Sequence, residues 1–409
     1  MRNQLPPTSS LAGPVLGALV LISLLAGKAL AQYAPDYVPA DMLEPPPQAG
    51  RIEWHGLSIG PRASANARYN DQLFLRSATD VSDFIWTLSP GVSVVAGGPV
   101  VERYREFRLD YQPALNLYTD HSEYSDVDHR AAFGLFLPLN RLAFKADATY
   151  AAVREPVLGA LDFSRRHDLR SSLLAEYLFS DKTTASTALR YSLLDYSGGP
   201  ALTGYQDLGN DTWLNYLPSP KLGLGLGFAW GRFEVQDDPG QTYERILARA
   251  LYRLSEKLDL TVVAGGELRQ YDGDAADTSG LVFDLGGTFR PREGTSFQVE
   301  GHRRETPSAW TAGENYVNTG GSVGVRQRLA EKWTALLSLG YNHLDFQSVS
   351  ATTTTSRSDD YFLARVGVDF RLNPEWTFGL LYQRQSDDSN VGIYNFSQNQ
   401  VGLYVNWKP

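Results

Sequence analysis

The 409-residue chain has no cysteine, which excludes a disulfide framework and any thiolate metal site. It has no basic surplus: a formal net charge of −9 is the wrong sign for the electrostatic footprint of a nucleic-acid binder. Beyond the N-terminus there is no apolar run long enough to cross a membrane as a helix. The six histidines, His55, His121, His129, His167, His302 and His343, are scattered, and none forms an i, i+4 metal pair or an HExxH motif. Walker-type phosphate loops are missing. GxSxG occurs around Ser58 and Ser322, but Pro61 follows the first and a strand-like VRQRL follows the second, where a nucleophile elbow needs a helix. No catalytic, cofactor or metal site is therefore assigned, and the chain reads as a non-enzyme. His121 and His129, flanking the acidic stretch SEYSDVD, are the best candidates for chemistry or divalent-ion binding, against the favoured reading of a solvated loop with incidental histidines.

Aromatic side chains (22 Tyr, 18 Phe, 8 Trp) and glycine (37) are abundant, a profile of a β-rich chain with many turns. Near the start, Arg2 precedes LAGPVLGALVLISLLAG and then Ala29-Leu30-Ala31, a small-x-small cleavage site. Residues 1–31 are expected to be a signal peptide. Residues 32–51, rich in proline, are expected to be an extended periplasmic tail that cannot pair as a strand.

Over 52–409 the recurring signal is period two. Phe107, Leu109, Tyr111, Leu115 and Leu117 alternate with Arg108, Asp110, Gln112 and Asn116. Phe362, Ala364, Val366, Val368 and Phe370 alternate with Arg365, Asp369 and Arg371. A soluble sandwich alternates in the same way, so the connections must decide. Eight tight polar turns recur about every 40 residues, at Gly97-Gly98-Pro99, Pro138-Leu139-Asn140, Ser180-Asp181-Lys182, Ser219-Pro220-Lys221, Ser255-Glu256-Lys257, Arg292-Glu293-Gly294, Glu331-Lys332 and Asn373-Pro374-Glu375. Longer, often acidic connections lie between them. Short turns at one end and longer loops at the other are the asymmetry of an outer-membrane barrel. The expected fold is all-β, a transmembrane antiparallel up-and-down barrel of about 18 strands in the outer membrane of a Gram-negative bacterium. The count falls to 16 if the weakly patterned stretches near Gly56–Tyr69 and Thr212–Leu217 are not strands. Trp333 and Trp376, just past tight turns, and Tyr150, Tyr196, Tyr271 and Tyr341, near loop ends, are expected in two girdles. The final strand, QVGLYVNWKP, resembles the C-terminal targeting strand read by the barrel-insertion machinery, although it ends Trp-Lys-Pro.

An 18-strand barrel is wide enough for a water-filled interior. With each strand's polar phase turned inward, the lumen gains Arg108, Arg190, Arg245, Arg249, Arg253, Arg269, Arg290, Arg326, Arg328, Arg365 and Arg371, joined by Arg62, Arg68, Arg130, Lys145, Arg170 and Arg304. Acids on that phase are Glu106, Asp110, Asp147, Glu176, Asp259, Glu267, Asp284, Glu300 and Asp369, a basic excess of roughly two to one. Arginine suits bidentate contact with carboxylates and phosphates, and a low-dielectric wall focuses such a field. Two readings follow: an anion or polymer path, or structural ladders of paired charges. In KLGLGLGFAWGRF, from Lys221 to Phe233, the large apolar residues point to lipid and Gly223, Gly225 and Gly227 form an inward strip. Glycine weakens a strand, so this strip is expected to leave room for an infolded loop, the tail or cargo.

The stretch from Tyr104 to Tyr150, with LSPGVSV at Leu88–Val94, resembles a family of outer-membrane β-barrel porins found with exopolysaccharide-export systems. The shared features are a Ser-Pro-Gly strand, a strand ending in a Tyr-Thr-Asp loop and an Asp-His entry to the next strand. The resemblance implies export of a secreted polysaccharide across the outer-membrane lipid with periplasmic export proteins as partners; the basic lumen makes an anionic polymer the expectation, and the net charge argues against nucleic acid. Alternatives are a general or anion-preferring diffusion porin, for which Ser348–Asp360 is the best constriction loop, and a surface-binding, adhesin-like barrel.

Overall fold

The computed structural model describes residues 52–77, 81–97, 105–157, 163–198, 202–255, 257–273, 276–309, 313–349 and 356–409. The leader and Pro-rich tail expected over 1–51 lie outside them, as does most of the turn begun by Gly97.

Nineteen strands follow in chain order. The first six are β1 (Ile52–Trp54), β2 (Leu57–Asn70), β3 (Asp83–Ala96), β4 (Glu106–Tyr118), β5 (Asp126–Pro138) and β6 (Leu142–Pro156). Next come β7 (Phe163–Ser180), β8 (Thr183–Ser197), β9 (Tyr205–Ser219), β10 (Leu222–Val235), β11 (Gln241–Ser255), β12 (Leu258–Tyr271) and β13 (Thr278–Arg292). The last six are β14 (Thr295–Pro307), β15 (Glu314–Arg328), β16 (Trp333–Ser348), β17 (Ser358–Arg371), β18 (Trp376–Ser389) and β19 (Phe396–Trp407). From β2 to β19 every strand pairs antiparallel with its neighbours in sequence, and β19 returns to β2 with Gln400 opposite Asn70 and Trp407 opposite Ala63. The result is a closed barrel of 18 strands, so both weakly patterned stretches do form strands. Closure removes the free edges that backbone polar groups cannot tolerate in lipid. β1 folds back on β2 through a two-residue turn in which His55 and Gly56 both have positive φ (48° and 82°), the geometry that matches strand twist in a tight hairpin.

The wall's phase is set by its apolar residues. Leu224, Leu226, Phe228 and Trp230 of β10 are exposed, with Ile246 beside Phe228 on β11, and Leu226 and Ile246 reach 70% and 75% exposure. Residues this apolar remain exposed on a folded protein because lipid covers them. At the short-turn end, Trp376 and Trp407 face each other across β18 and β19 with ring centres 6.3 Å apart, and Trp333 packs on Phe370 at 4.8 Å. Farther along the strands Tyr111, Tyr150, Tyr341 and Tyr382 are outward and exposed. Tyr196 and Tyr271 take the opposite phase. They point inward, Tyr196 against a buried apolar cluster and Tyr271 into a polar network, so neither belongs to the girdle.

Candidate functional site

Taken on the phase opposite to the exposed apolar residues, all eleven candidate arginines lie on the inner wall, and most are held by acids. Asp110 of β4 receives Arg62 from β2 at 3.1 Å and Arg108 at 2.5 Å. Arg190 of β8 pairs with Asp211 of β9 at 2.9 Å. Glu267 of β12 joins Arg245 at 2.5 Å and Arg269 at 2.8 Å, and Arg304 of β14 pairs with Asp284 of β13. Toward the short-turn end, Asp259 bridges Arg253 at 2.7 Å and Arg290 at 3.3 Å, and Arg328 reaches Glu293 of the β13–β14 turn at 2.7 Å. Arg365 donates to Gln383 at 2.7 Å and Arg249 to Asn215 at 2.8 Å, both neutral acceptors. Arg326 and Arg371, near the short-turn ends of β15 and β17, have no ion-pair partner among the described residues. By barrel asymmetry that end faces the periplasm.

Further inward acids narrow the basic excess: Asp128, Asp168, Asp207, Asp211, Asp359 and Asp387 occupy the same phase. Asp207 and Asp211 escaped the sequence reading because β9 places Asn210 and Thr212 outward among leucines, which blurs its alternation.

Among the described residues the mouth at the long-loop end is narrowed by the β14–β15 hairpin, while residues 350–355 of the expected constriction loop Ser348–Asp360 lie outside them. The β14–β15 hairpin leans inward from β13, whose ladder with β14 stops at Phe283 opposite Arg303. Its tip reaches the β8–β9 connection, where the Thr203 N–H donates to the Ala309 carbonyl at 2.9 Å. Below the tip, Asn315 exchanges amide hydrogen bonds with Gln241 of β11, four strands away, at 2.9 Å each. Glu305 accepts from Asn315 and Tyr271, and Arg269 donates to the Glu305 carbonyl at 2.9 Å. From the other side, residues of the β2–β3 connection also turn in. Leu75 packs with Tyr316, Leu344, Phe346, Tyr361 and Phe396, while Leu73 and Phe74 pack with Ile85 and Phe163. These apolar contacts give inward loops a reason to stay folded without a strand partner.

The glycine strip is filled by neighbouring side chains. Each glycine faces an inward residue of the strand beside it: Gly223 faces Leu251, Gly225 faces Asn215 and Arg249, and Gly227 faces Trp213. A Cβ at Gly227 would stand 2.6 Å from the Trp213 ring and one at Gly225 the same distance from the Asn215 oxygen. Among the described residues, cross-strand side chains occupy the space beside the strip, and the Pro-rich tail expected there lies outside the described residues.

Residues 214–408 match the family model described as an outer membrane protein beta-barrel domain. No curated protein matches the sequence. Among solved structures, the chain is similar to OccK2 (OpdF) of Pseudomonas aeruginosa in complex with glucuronate, at 12% identity and a TM-score of 0.46, covering 86% of this chain and 98% of that one. It is likewise similar to OpdK of Pseudomonas aeruginosa (10% identity, TM-score 0.45, 86% and 98% covered) and to OccAB4 of Acinetobacter baumannii (12%, 0.44, 88% and 99%). The protein is an outer-membrane β-barrel of 18 strands.

Proposed function

We propose that the barrel is a diffusion channel for small solutes with a preference for anions, and that it does not export a polymer. The observation that carries this reading is the infolded β14–β15 hairpin, latched through Asn315 and Glu305 onto β11 and β12. A polysaccharide would have to withdraw that buried latch, whereas a small solute need only pass beside it. Preference for anions rests on the arginines running from Arg326 and Arg371 near the periplasmic end, through Arg190 at mid-strand, to Arg245 and Arg304 nearer the mouth. A carboxylate-bound guanidinium adds little long-range field, so the preference should be moderate. The role is passage without bond chemistry.

Reversal potentials of the purified full-length barrel in planar bilayers under a KCl gradient test this. Anion-selective channels support it. Cation selectivity, or the absence of channels, sinks it.

A further inference from the structure

Arg249 differs from the ladder arginines in how it is held. Its Nε and Nη2 donate to Oδ1 of Asn215 at 2.8 and 2.5 Å, and its guanidinium carbon lies 4.3 Å from the centre of the Trp213 ring. Neither partner carries charge. Asn215 is fixed to present its oxygen, because its Nδ2 donates to Thr184 at 3.1 Å and the Thr184 hydroxyl is hydrogen-bonded to the Glu176 carboxylate. Asn215 and Thr184 are each only 2% exposed, so this relay is rigid. The acids that act on Arg249 electrostatically, Glu176 and Asp211, form no ion pair with it among the described residues.

Asn215 occupies the side edge of the guanidinium fork. The end edge, formed by Nη1 and the second hydrogen of Nη2, has no partner among the described residues, and it is an edge that matches a carboxylate bidentately. The glycine strip makes this posture possible. A Cβ at Gly225 would stand 2.8 Å from Arg249 Cγ and 2.6 Å from Asn215 Oδ1, so any side chain there displaces the pair. A Cβ at Gly227 would push the Trp213 ring off the wall, taking the stacking surface with it. Beside them Leu251, lying over Gly223, adds apolar surface that favours an organic anion over chloride.

We propose that Arg249, braced by Asn215 and Trp213 on the glycine strip, is a recognition point in the lumen that holds a small organic carboxylate on its end edge. The proposal rests on the anion-channel reading and adds the residue and the ligand class.

The test uses benzoate as a blocker of single-channel KCl current, with neutral benzamide as the comparison. Wild-type channels should show benzoate-dependent interruptions that benzamide does not produce. Arg249→Gln should weaken the block by about tenfold or more, the scale of one charge-assisted bidentate contact. Asn215→Asp keeps an acceptor against the fork but pairs its charge, and should weaken the block similarly, whereas a purely structural role would tolerate it. Arg303→Gln, a change on the outer face, should leave the block as in wild type. If Arg249→Gln does not insert, Asn215→Asp decides alone. Unchanged block in Asn215→Asp, or no benzoate block of an anion-selective wild-type channel, overturns the proposal. A wild-type channel without anion selectivity overturns the channel reading itself, in a measurement made before benzoate is added.

Discussion

Replacing Asn315 by alanine should unlatch the mouth. Asn315 is fully buried on the infolded hairpin. Its side chain meets Gln241 through two 2.9 Å amide bonds, the Tyr271 hydroxyl at 3.2 Å and the Glu305 carboxylate at 2.6 Å. Each neutral bond contributes about 1 kcal/mol net, and one to a carboxylate about 1.5–3 kcal/mol. Shared donors keep the sum near the low end, about 3 kcal/mol. At about 1.4 kcal/mol per tenfold, the ratio of open to latched hairpin should rise by roughly two decades. The barrel wall keeps its ladders, because β15 remains paired with β14 and β16 along its length.

Amide hydrogen exchange on the purified barrel reads that change directly. Protection of residues 305–309 and 313–317 should fall by about a hundredfold while that of β16–β18 stays constant. Single-channel records should show more frequent visits to a larger conductance. The latch argument is refuted if hairpin protection is unchanged. It is equally refuted if protection falls uniformly around the barrel, which would make Asn315 a support of the wall.

Two further outcomes follow from the wall itself. Leu226→Arg puts a charge at the middle of the lipid-facing apolar band of β10 and should destabilise the inserted barrel by about 2–4 kcal/mol, measured by denaturant unfolding in lipid vesicles; a change near zero would place that face away from lipid. Gly231→Ala drives a Cβ into the Tyr243 hydroxyl and ring, and Tyr243 cannot swing away because it is 1% exposed and bonded to Asp207 at 3.2 Å, so overpacking should cost about 1–3 kcal/mol and lower the unfolding midpoint in the same assay.

Strand number, direction and phase were legible because they are local. Alternation in Phe107–Leu117 fixes a face, and Ser-Asp-Lys or Asn-Pro-Glu fixes a turn, without reference to anything distant. The mouth was not legible because its partners are far apart in sequence: Asn315 and Gln241 are 74 residues apart, and nothing in the local pattern of β14 and β15 says which way their hairpin leans. Position near a loop end likewise did not fix phase. Tyr196 sits an even number of residues from inward Arg190 on β8, and counting along the strand would have turned it inward. The glycine strip was visible as an oddity, but its occupants, Trp213 and Asn215, lie on β9, whose outward Asn210 and Thr212 hid the alternation that would have placed them.

The two kinds of arginine in this lumen should separate in kinetics. Arg190, Arg245, Arg269 and Arg304 each face a carboxylate, so their fields are short-range dipoles that keep the wall in register. Arg326 and Arg371 lack such partners among the described residues and lie near the periplasmic end, where an anion first meets the wall. Unpaired charge at an entrance steers encounter, and braced charge deeper inside sets residence. Replacing Arg326 and Arg371 together by Gln should therefore lower the rate at which periplasmic benzoate begins a block and leave block duration nearly unchanged. Raising KCl from 0.1 to 1 M shortens the screening length from about 10 to about 3 Å, and should remove most of the difference between this variant and wild type. A variant that shortens the block, or whose deficit survives 1 M salt, would show that these arginines touch the anion where it rests, and the division between steering and holding would fail.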